Sequence, residues 1–456
     1  MKVTQLIETL FKKYLPSPFT IAVVLTLLTI ALAFVFTEGG DNHFIELISY
    51  WESGIWNSGL LVFAYQMMLI LVLGHVLVLS GPMEKLIRHI TKYVQNTESA
   101  AVLVVLPTLL IAFFNWGLAL IFGAILARKV GEHAQENNIP INYPLIGACG
   151  YAGLMVWHGG ISGSAPIKVS ELGHIKELMG TITSTETVQK LPDFISTSTT
   201  IFGLSNIVIF LVIVLGISLL AYYLGKKTNT TSIKLDKYQF KSDVKKNLIG
   251  AEKLDNSNIT ASVFGVLVLV AFIVQYLPAL RTLNITPNML NLFMLGLAIL
   301  LHKNFNNFLN AIQEAIGDVS GILIQFPLYF GIMGIMAGSG MINQISDFFV
   351  TISNETTMPI FTFFSAALVN IFVPSGGGQW AVQGPLILES ALQLGVPLPK
   401  AVMALAYGDQ ITNMLQPFWA LPLLGITKLK AKEILPYTLL FMILGGSIYL
   451  VGLFFM

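Results

Sequence analysis

Three consecutive glycines, Gly376, Gly377 and Gly378, lie between Ser375 and Gln379 in an apolar part of the chain. Amides at a helix N-terminus bind anions through their geometry and through the helix dipole, and glycine leaves those amides uncovered. Ser375 and Gln379 add side-chain donors. This stretch therefore predicts a binding site for a carboxylate. The alternative is a tight turn whose glycines only allow helices to pack closely.

A second polar stretch, Ser162, Gly163 and Ser164, follows Trp157 and His158. Its glycine and hydroxyl groups predict the opposite wall of the same cavity, so these three residues are also assigned to substrate binding. His158 can titrate near neutral pH, but a single histidine beside a tryptophan is more often a packed residue with one hydrogen bond. We therefore leave His158 out of the predicted site.

Asp409 is the clearest ionisable residue deep inside an apolar segment. An acid inside a membrane is costly, and a function is its default interpretation. Asp409 can bind a proton or help to coordinate Na⁺; otherwise it caps a half-helix. Asn115, Asn370 and Asn413 carry carbonyl oxygens that suit a hard cation such as Na⁺, or they satisfy the backbone of bends. These four residues form the predicted cation-coupling set, with H⁺ and Na⁺ both open.

Three aromatic residues, Tyr407, Trp380 and Trp419, can line the apolar side of a small acyl substrate, although a structural or interfacial role suits them equally. No Lys or Arg lies clearly inside a predicted span. This favours a monocarboxylate held by amide dipoles, while leaving a dicarboxylate open. No organic cofactor is implied.

The composition places these residues in a membrane. Of 456 residues, 55% are hydrophobic and 11% are charged, whereas soluble domains have about 25% charged residues. The 25 basic and 24 acidic residues are too few to cover a surface that faces water. The net charge of +1 offers no basic field for nucleic acid, and the single cysteine, Cys149, excludes an internal disulfide.

A membrane helix needs about 20 mostly apolar residues. Six clear spans are predicted, at 19–36, 59–80, 201–224, 259–277, 319–338 and 436–456. Another stretch, 288–302, is short, while 144–166 and 400–424 are interrupted by polar residues, Gly and Pro. Two further stretches, 100–127 and 358–392, are too long for one crossing, and each is broken in its middle.

The distribution of lysine predicts how the two long stretches lie. Three lysines place the N-terminus in the cytoplasm, and loop 37–58, which has acids but no Lys or Arg, then lies outside. If 100–127 crossed once, segment 225–258 would lie outside with eight lysines against four acids. A re-entrant hairpin keeps that segment cytoplasmic. The same argument makes 358–392 re-entrant from the outer face, giving nine crossings and two hairpins.

Residue types recur roughly 256 positions apart. Tyr151 and Pro166 match Tyr407 and Pro422, while the two central asparagines of the hairpins, 115 and 370, match each other. The paired spans have opposite parity, so the two halves are predicted to be inverted in the membrane.

We therefore predict an all-α polytopic membrane protein with two inverted repeats, each containing a re-entrant hairpin and a discontinuous helix. The first repeat is 1–224, a cytoplasmic lysine-rich linker is 225–258, and a linking span with the second repeat is 259–456. Irregular backbone at membrane depth must be buried in protein or line a cavity. Secondary transporters place their substrate sites there, near the membrane midplane.

The stretch Val373-Pro-Ser-Gly-Gly-Gly-Gln-Trp-Ala-Val-Gln-Gly-Pro385 resembles the signature of the short-chain fatty acid transporter family (AtoE type), within the wider group of ion transporters. Further stretches spread over most of the chain are similar to that family: Asn115-Trp-Gly117, Gly163-Ser-Ala-Pro166, Leu300-Leu-His-Lys303, Ala406-Tyr-Gly-Asp-Gln410 and Asn413-Met-Leu-Gln-Pro-Phe-Trp-Ala-Leu-Pro422. The resemblance implies uptake of butyrate-like or acetoacetate-like monocarboxylates with elevator-like movement of a hairpin-bearing domain. It supplies no residue-level assignment, so the site residues above are inferred from chemistry alone.

The predicted function is a cation-coupled secondary transporter in the cytoplasmic membrane. Alternatives with the same architecture are a C4-dicarboxylate or other organic-anion transporter and a Na⁺/H⁺ antiporter. An enzyme is not expected, because an intramembrane aspartyl protease needs a second carboxylate that shares a proton with Asp409. The predicted partners are a small carboxylate, H⁺ or Na⁺, membrane lipid and a second copy of the chain in a homodimer, without nucleic acid.

Overall fold

The computed structural model describes residues 9–11, 13–40, 42–179, 191–230, 234–235, 249–281 and 286–456. These residues are overwhelmingly helical, which confirms the all-α class. Within them, seven helices are long and apolar enough to cross a membrane: Pro18–Phe36, Ser58–Val78, Thr97–Phe114, Leu204–Lys227, Asn258–Arg281, Ser320–Gly338 and Ala431–Phe455. Six of them coincide with the six clear predicted spans, and the seventh is the first arm of the first predicted hairpin. The chain is a multi-pass membrane protein.

The remaining helices are shorter and lie between these spans. Three belong to the loops and ends of the first half, and they are His43–Ile55, Gly81–Thr91 and His174–Met179. Four others accompany the second half, and they are Glu252–Asp255, Pro287–His302, Phe305–Ala315 and Met341–Thr351. A single 3₁₀ turn, Ile316–Val319, leads into the span Ser320–Gly338.

The first hairpin consists of Thr97–Phe114 and Trp116–Glu136, separated only by Asn115. Its two arms pack closely side by side: a Cβ added to Gly123 in the second arm would lie 3.0 Å from the side chain of Thr108 in the first. The second arm continues nine residues beyond the predicted end at 127, and Glu132 supports this extension by pairing with Arg128 and Lys129, each at 2.7 Å. Arg128 is 3% exposed, so one cation is buried within a hairpin arm.

The second hairpin consists of Met358–Phe372 and Gly376–Leu394. Two glutamines of the second arm hold the arms together. Gln379 Nε2 donates to the Ala366 carbonyl at 2.9 Å, and Gln383 Nε2 donates to Ser365 Oγ at 3.0 Å. The predicted break therefore falls where the glycine stretch begins, at the tip of the hairpin.

Each interrupted stretch is a broken segment made of helical pieces. The first broken segment contains Tyr143–Tyr151, the 3₁₀ turn Ala152–Met155 and Ser164–Lys168. The second contains Leu398–Thr412, the 3₁₀ turn Asn413–Leu415 and Pro417–Thr427. The Tyr151 hydroxyl donates to the carbonyls of Asn413 and Gln416, at 2.7 and 3.0 Å. The two broken segments therefore satisfy one another's unpaired backbone where they meet.

Both halves contain a hairpin followed by a broken segment and a long apolar helix. This shared order agrees with an internal repeat, while the inverted orientation and the boundaries at 224 and 258 stay predictions. Of the predicted linker 225–258, residues 231–233 and 236–248 lie outside the described residues. Within its described part, the Leu235 backbone exchanges two hydrogen bonds with the side chain of Gln135, at 2.6 and 3.1 Å.

Buried apolar side chains form a large core and a smaller separate one. The smaller core combines the region after the first break with the second hairpin and the start of the second broken segment. Its members include Ala165, Val169, Trp380, Leu388 and Leu405, all 3% exposed or less. The buried apolar residues of the second arm of this hairpin thus belong to the smaller core, whereas its first arm also contributes Phe363 and Val369 to the large core.

Candidate substrate and coupling site

The tip of the second hairpin presents the amides that the sequence predicts for anion binding. Ser375 is the N-cap: its Oγ accepts from the Gly378 amide at 3.2 Å, and its carbonyl accepts from the Gln379 amide at 2.7 Å. In any α-helix, the first amides have no acceptor within the helix. Gly376 and Gly377 hold these positions, so their N–H groups are the donors available at the tip.

Gly376 packs against the first break. A Cβ at this position would lie 2.8 Å from both Trp157 Cη2 and His158 Cε1, closer than real Cβ contacts. A Cβ at Gly377 would meet only Ser164 Oγ, at 3.8 Å, which is an ordinary contact. The two neighbouring glycines therefore differ: Gly376 permits a close approach to rings, while Gly377 faces open space.

A cavity of about 330 Å³ lies between the hairpin tips and the first broken segment. Four of the eight predicted substrate-binding residues line it: Ser162, Gly163, Ser164 and Gly377. The tertiary structure thus brings together two stretches more than 200 residues apart in the sequence. The remaining lining residues are Trp116, Ile161, Ile167, Lys168, His174, Leu178, Trp380 and Ala381.

The other four predicted residues lie beside this cavity and support it. Ser375 caps the helix, Gly376 packs on the His158 ring, and the Gly378 amide is used by the cap. Gln379 is fully buried and bridges the two hairpin arms. These positions are structural in this conformation, and their assignment to substrate binding stays a prediction.

Two polar lining residues were not singled out from the sequence. Lys168 brings a cation to the cavity, with Nζ 2.9 Å from Glu171 Oε2, and His174 Nε2 accepts from Trp380 Nε1–H at 3.1 Å. Both residues lie beyond residue 166, where the predicted interrupted span ends. The sequence does contain a signal for Lys168 as a lining residue: it follows Ser164 by four residues, which places both on the same face of a helix.

Asp409 and His158 form a buried pair that joins the two broken segments. His158 Nδ1 lies 2.5 Å from Asp409 Oδ2, and the residues are 0% and 1% exposed. On the other side of the ring, His158 Nε2 accepts from the Ala165 amide at 3.0 Å. The residue that we left out of the predicted site is therefore the direct partner of the predicted acid.

Gln410 holds the broken backbone beside this pair. Its Oε1 accepts from the amides of His158 and Gly159, at 2.7 and 3.2 Å, and its Nε2 donates to the Tyr449 hydroxyl at 2.7 Å. Tyr449 in turn donates to the Met155 carbonyl at 2.7 Å. Because buried polar groups are costly when unpaired, this chain of bonds explains how the break is tolerated at depth.

The three predicted asparagines are buried and use their amides in bends. Asn115 Oδ1 accepts from the Leu118 amide at 2.8 Å and caps the second arm of the first hairpin. Asn370 Nδ2 donates to Asn413 Oδ1 at 2.9 Å and to Thr412 Oγ1 at 3.0 Å, which ties the second hairpin to the second break. These bonds match the structural alternative for the asparagines, and their role in cation coupling stays a prediction.

Of the three predicted aromatic residues, only Trp380 lines the cavity. Tyr407 is fully buried and donates its hydroxyl to Asn206 Oδ1 at 2.7 Å. Trp419 packs edge-on against Trp116, with 5.0 Å between ring centroids, and so supports a wall of the cavity from behind. In the part of the chain that the structure describes, no group of three or more His, Cys, Asp or Glu side chains is arranged to hold a metal ion.

A multi-pass helical protein with two hairpins, two broken segments and a polar-rimmed cavity between the hairpin tips and the first broken segment has the architecture of a membrane transporter. The family model "Short chain fatty acid transporter" matches residues 1–456, and the chain belongs to that family. The resemblance seen in its motifs is thereby confirmed.

Two relatives agree with this membership, and both carry the name "Putative short-chain fatty acid transporter". The protein of Escherichia coli K12 is 34% identical over 457 residues, covering 99% of each chain. The protein of Haemophilus influenzae is 34% identical over 461 residues, covering 100% of this chain and 99% of the relative.

Two solved structures are similar over almost the whole chain at 14% identity. The YdaH transporter of Alcanivorax borkumensis aligns with a TM-score of 0.41, covering 96% of this chain and 98% of that chain. MtrF of Neisseria gonorrhoeae aligns with a TM-score of 0.40, covering 98% and 97%.

Proposed function

We propose that this protein is a secondary active transporter that moves short-chain monocarboxylates, such as butyrate and acetoacetate, across the cytoplasmic membrane. The observation that carries this proposal is the cavity of about 330 Å³ between Ser162, Gly163, Ser164 and Gly377. It lies at the small end of the range for ligand sites, about 300–1,000 Å³. We also propose that the N-terminus is cytoplasmic, that transport is coupled to H⁺ or Na⁺, and that the protein forms a homodimer.

The cavity chemistry supports a small amphiphilic anion. Serine hydroxyls and the Gly377 amide offer hydrogen-bond donors to a carboxylate, and Lys168 adds one positive charge at the rim. Glu171 pairs with that lysine at 2.9 Å and offsets part of its charge. The side chains of Trp116 and Trp380 give apolar walls for a short acyl chain.

The separate smaller core supports elevator-like alternating access. This core packs the second arm of the second hairpin against residues that follow the first break, such as Val169 and Ile175. Because this packed unit includes the lining residues Trp380 and Leu178, it can carry part of the cavity with it when it moves against the larger core. Its movement would carry the bound carboxylate from one side of the membrane to the other.

A C4-dicarboxylate is the second candidate substrate. Lys168 and His174 both line the cavity, so a protonated His174 would give it a second positive group. Against this, the ring of His174 accepts a hydrogen bond from Trp380 and is therefore neutral in the observed arrangement. The monocarboxylate proposal takes precedence for that reason.

Counterflow in proteoliposomes tests the proposal without any imposed ion gradient. Vesicles loaded with unlabelled butyrate should transiently take up labelled butyrate and acetoacetate faster than protein-free vesicles do, and labelled succinate should not enter. Exchange of succinate without exchange of butyrate would establish the dicarboxylate candidate in place of the first.

A further inference from the structure

The hydrogen bonds around His158 determine where its proton lies. The Ala165 amide donates to Nε2 at 3.0 Å, so Nε2 carries no hydrogen. A neutral imidazole must carry one, which therefore lies on Nδ1 and is donated to Asp409 Oδ2 at 2.5 Å. In this arrangement the carboxylate accepts, and His158 is neutral.

The second carboxylate oxygen of Asp409 has no hydrogen-bond partner among the described residues, although the side chain is 1% exposed. An ionised carboxylate in such a place is costly. A proton added to Oδ1 neutralises the pair and breaks none of the observed hydrogen bonds. A proton added to His158 Nε2 would instead oppose the Ala165 amide. Of the two positions, Oδ1 accepts a proton with less disturbance.

This charge lies directly behind the wall of the cavity. Ala165, which donates to His158, follows the lining residue Ser164 in the chain. On the other side, Gly376 touches the His158 ring and precedes the lining residue Gly377. An ionised Asp409 therefore repels a carboxylate in the cavity, and a protonated Asp409 does not.

We propose that Asp409 Oδ1 carries the coupling proton and that His158 is a positioning residue that holds Asp409 beside the substrate cavity. The inference rests on the proposed function. One H⁺ adds to Oδ1 and takes Asp409 from a charge of −1 to 0, and the substrate then brings one negative charge. The transporter is thus a symporter of one proton with one monocarboxylate, and net transport is electroneutral. Proton and substrate raise each other's affinity by the same factor.

The other ionisable groups that face the pair are already bonded. The hydroxyls of Tyr151, Tyr407 and Tyr449 donate to neighbouring oxygens. At the cavity, Lys168 pairs with Glu171, and His174 accepts from Trp380. The first arm of the second hairpin, Met358–Phe372, contains no ionisable residue. Asp409 is therefore the group whose protonation changes the charge of the pair.

The test measures initial rates of labelled butyrate uptake into proteoliposomes, with protein-free liposomes subtracted because uncharged butyric acid permeates bilayers. An inside-alkaline gradient of one pH unit should drive accumulation of up to about tenfold. A Na⁺ gradient at equal pH should drive none. The H⁺ flux, followed with a trapped pH dye, should equal the butyrate flux, and a valinomycin-imposed K⁺ potential should leave both unchanged.

Asp409→Asn keeps an oxygen that can accept from His158 and removes the proton site. This variant should retain butyrate counterflow and lose proton-driven accumulation. In the wild type, the apparent affinity for butyrate should fall as the pH rises, whereas in Asp409→Asn it should be independent of pH. His302→Gln is the matched control, since His302 is buried and bonds through Nε2 to the Val76 carbonyl at 2.7 Å, away from the cavity. It should keep the wild-type pH dependence.

The outcomes separate the two proposals. A wild type that shows no monocarboxylate counterflow refutes the proposed function. Counterflow together with Na⁺-driven accumulation leaves that function standing and overturns the assignment of the proton to Asp409. Proton-driven accumulation by Asp409→Asn overturns it too. If that variant does not fold, the wild-type flux ratio decides: one H⁺ per butyrate supports the inference, and no H⁺ flux overturns it.

Discussion

Replacing Gly376 with alanine tests the close packing of the second hairpin tip on the first break. The added Cβ would lie 2.8 Å from ring carbons of both Trp157 and His158. Relief to an ordinary contact requires a displacement of about 0.6 Å. His158 resists such a movement because Asp409 and Ala165 hold its two nitrogens at 2.5 and 3.0 Å.

Overpacking of this kind costs about 1–3 kcal/mol. If the tip must be seated for the cavity to bind substrate, that cost corresponds to a loss of about 5- to 150-fold in butyrate affinity, at 1.36 kcal/mol per tenfold. Gly377→Ala is the matched control. Its Cβ meets only Ser164 Oγ at 3.8 Å, and alanine keeps the backbone amide. We expect its affinity to remain within about twofold of the wild type, since alanine is also the better helix former.

Both variants would be purified in detergent and compared by thermal unfolding, and then by the concentration dependence of butyrate counterflow. Gly376→Ala should show the weaker affinity and the lower melting temperature. Equal affinities for Gly376→Ala and Gly377→Ala would refute the reasoning, because the two changes add the same methyl group one residue apart. The methyl group meets the rings of Trp157 and His158 at Gly376, whereas at Gly377 it enters open space.

Three further changes test other contacts. Gly408→Ala places a Cβ 2.1 Å from the Phe363 carbonyl oxygen. This clash should lower the melting temperature by several degrees and reduce the yield of folded protein. Tyr449→Phe removes the hydroxyl between a side-chain amide and a backbone carbonyl, and should cost about 1–3 kcal/mol in chemical unfolding. Burial, and next the charge of Lys168, lower the pKa of His174 from 6.5, so His174 contributes stability that is present above pH 6.5 and lost as the pH falls through the lowered pKa. Lys168→Met removes the second of these causes and should reduce this acid dependence of the melting temperature, and an unchanged dependence would contradict the assignment.

The sequence predicted the breaks well because their physical causes are local. Asn115 and Ser375 are capping residues, and each begins a helix in the structure as capping preferences predict. Helix ends were predicted less accurately where pairs of charged side chains extend a helix beyond its apolar stretch. The second arm of the first hairpin reaches Glu136 for this reason, with Glu132 placed beside two cations.

The partners of buried polar groups were harder to predict. His158 is packed, as the sequence suggests, but its ring bonds both to the nearby Ala165 amide and to Asp409, 251 positions away. The lining residues Lys168 and His174 were missed because they lie outside the apolar spans. Their place at the cavity follows from the way the chain folds back after the first break.

The sequence by itself determined the solvent, the spans, the two breaks and the family of this protein. Those properties follow from composition, from local hydropathy and from motifs, all of which act within a few neighbouring residues. Only the tertiary structure decided which polar groups meet: Gly377 with Ser164, Gly376 with His158, and His158 with Asp409. Buried polar groups need partners, but many residues can satisfy that need, so the choice among them depends on how distant segments pack.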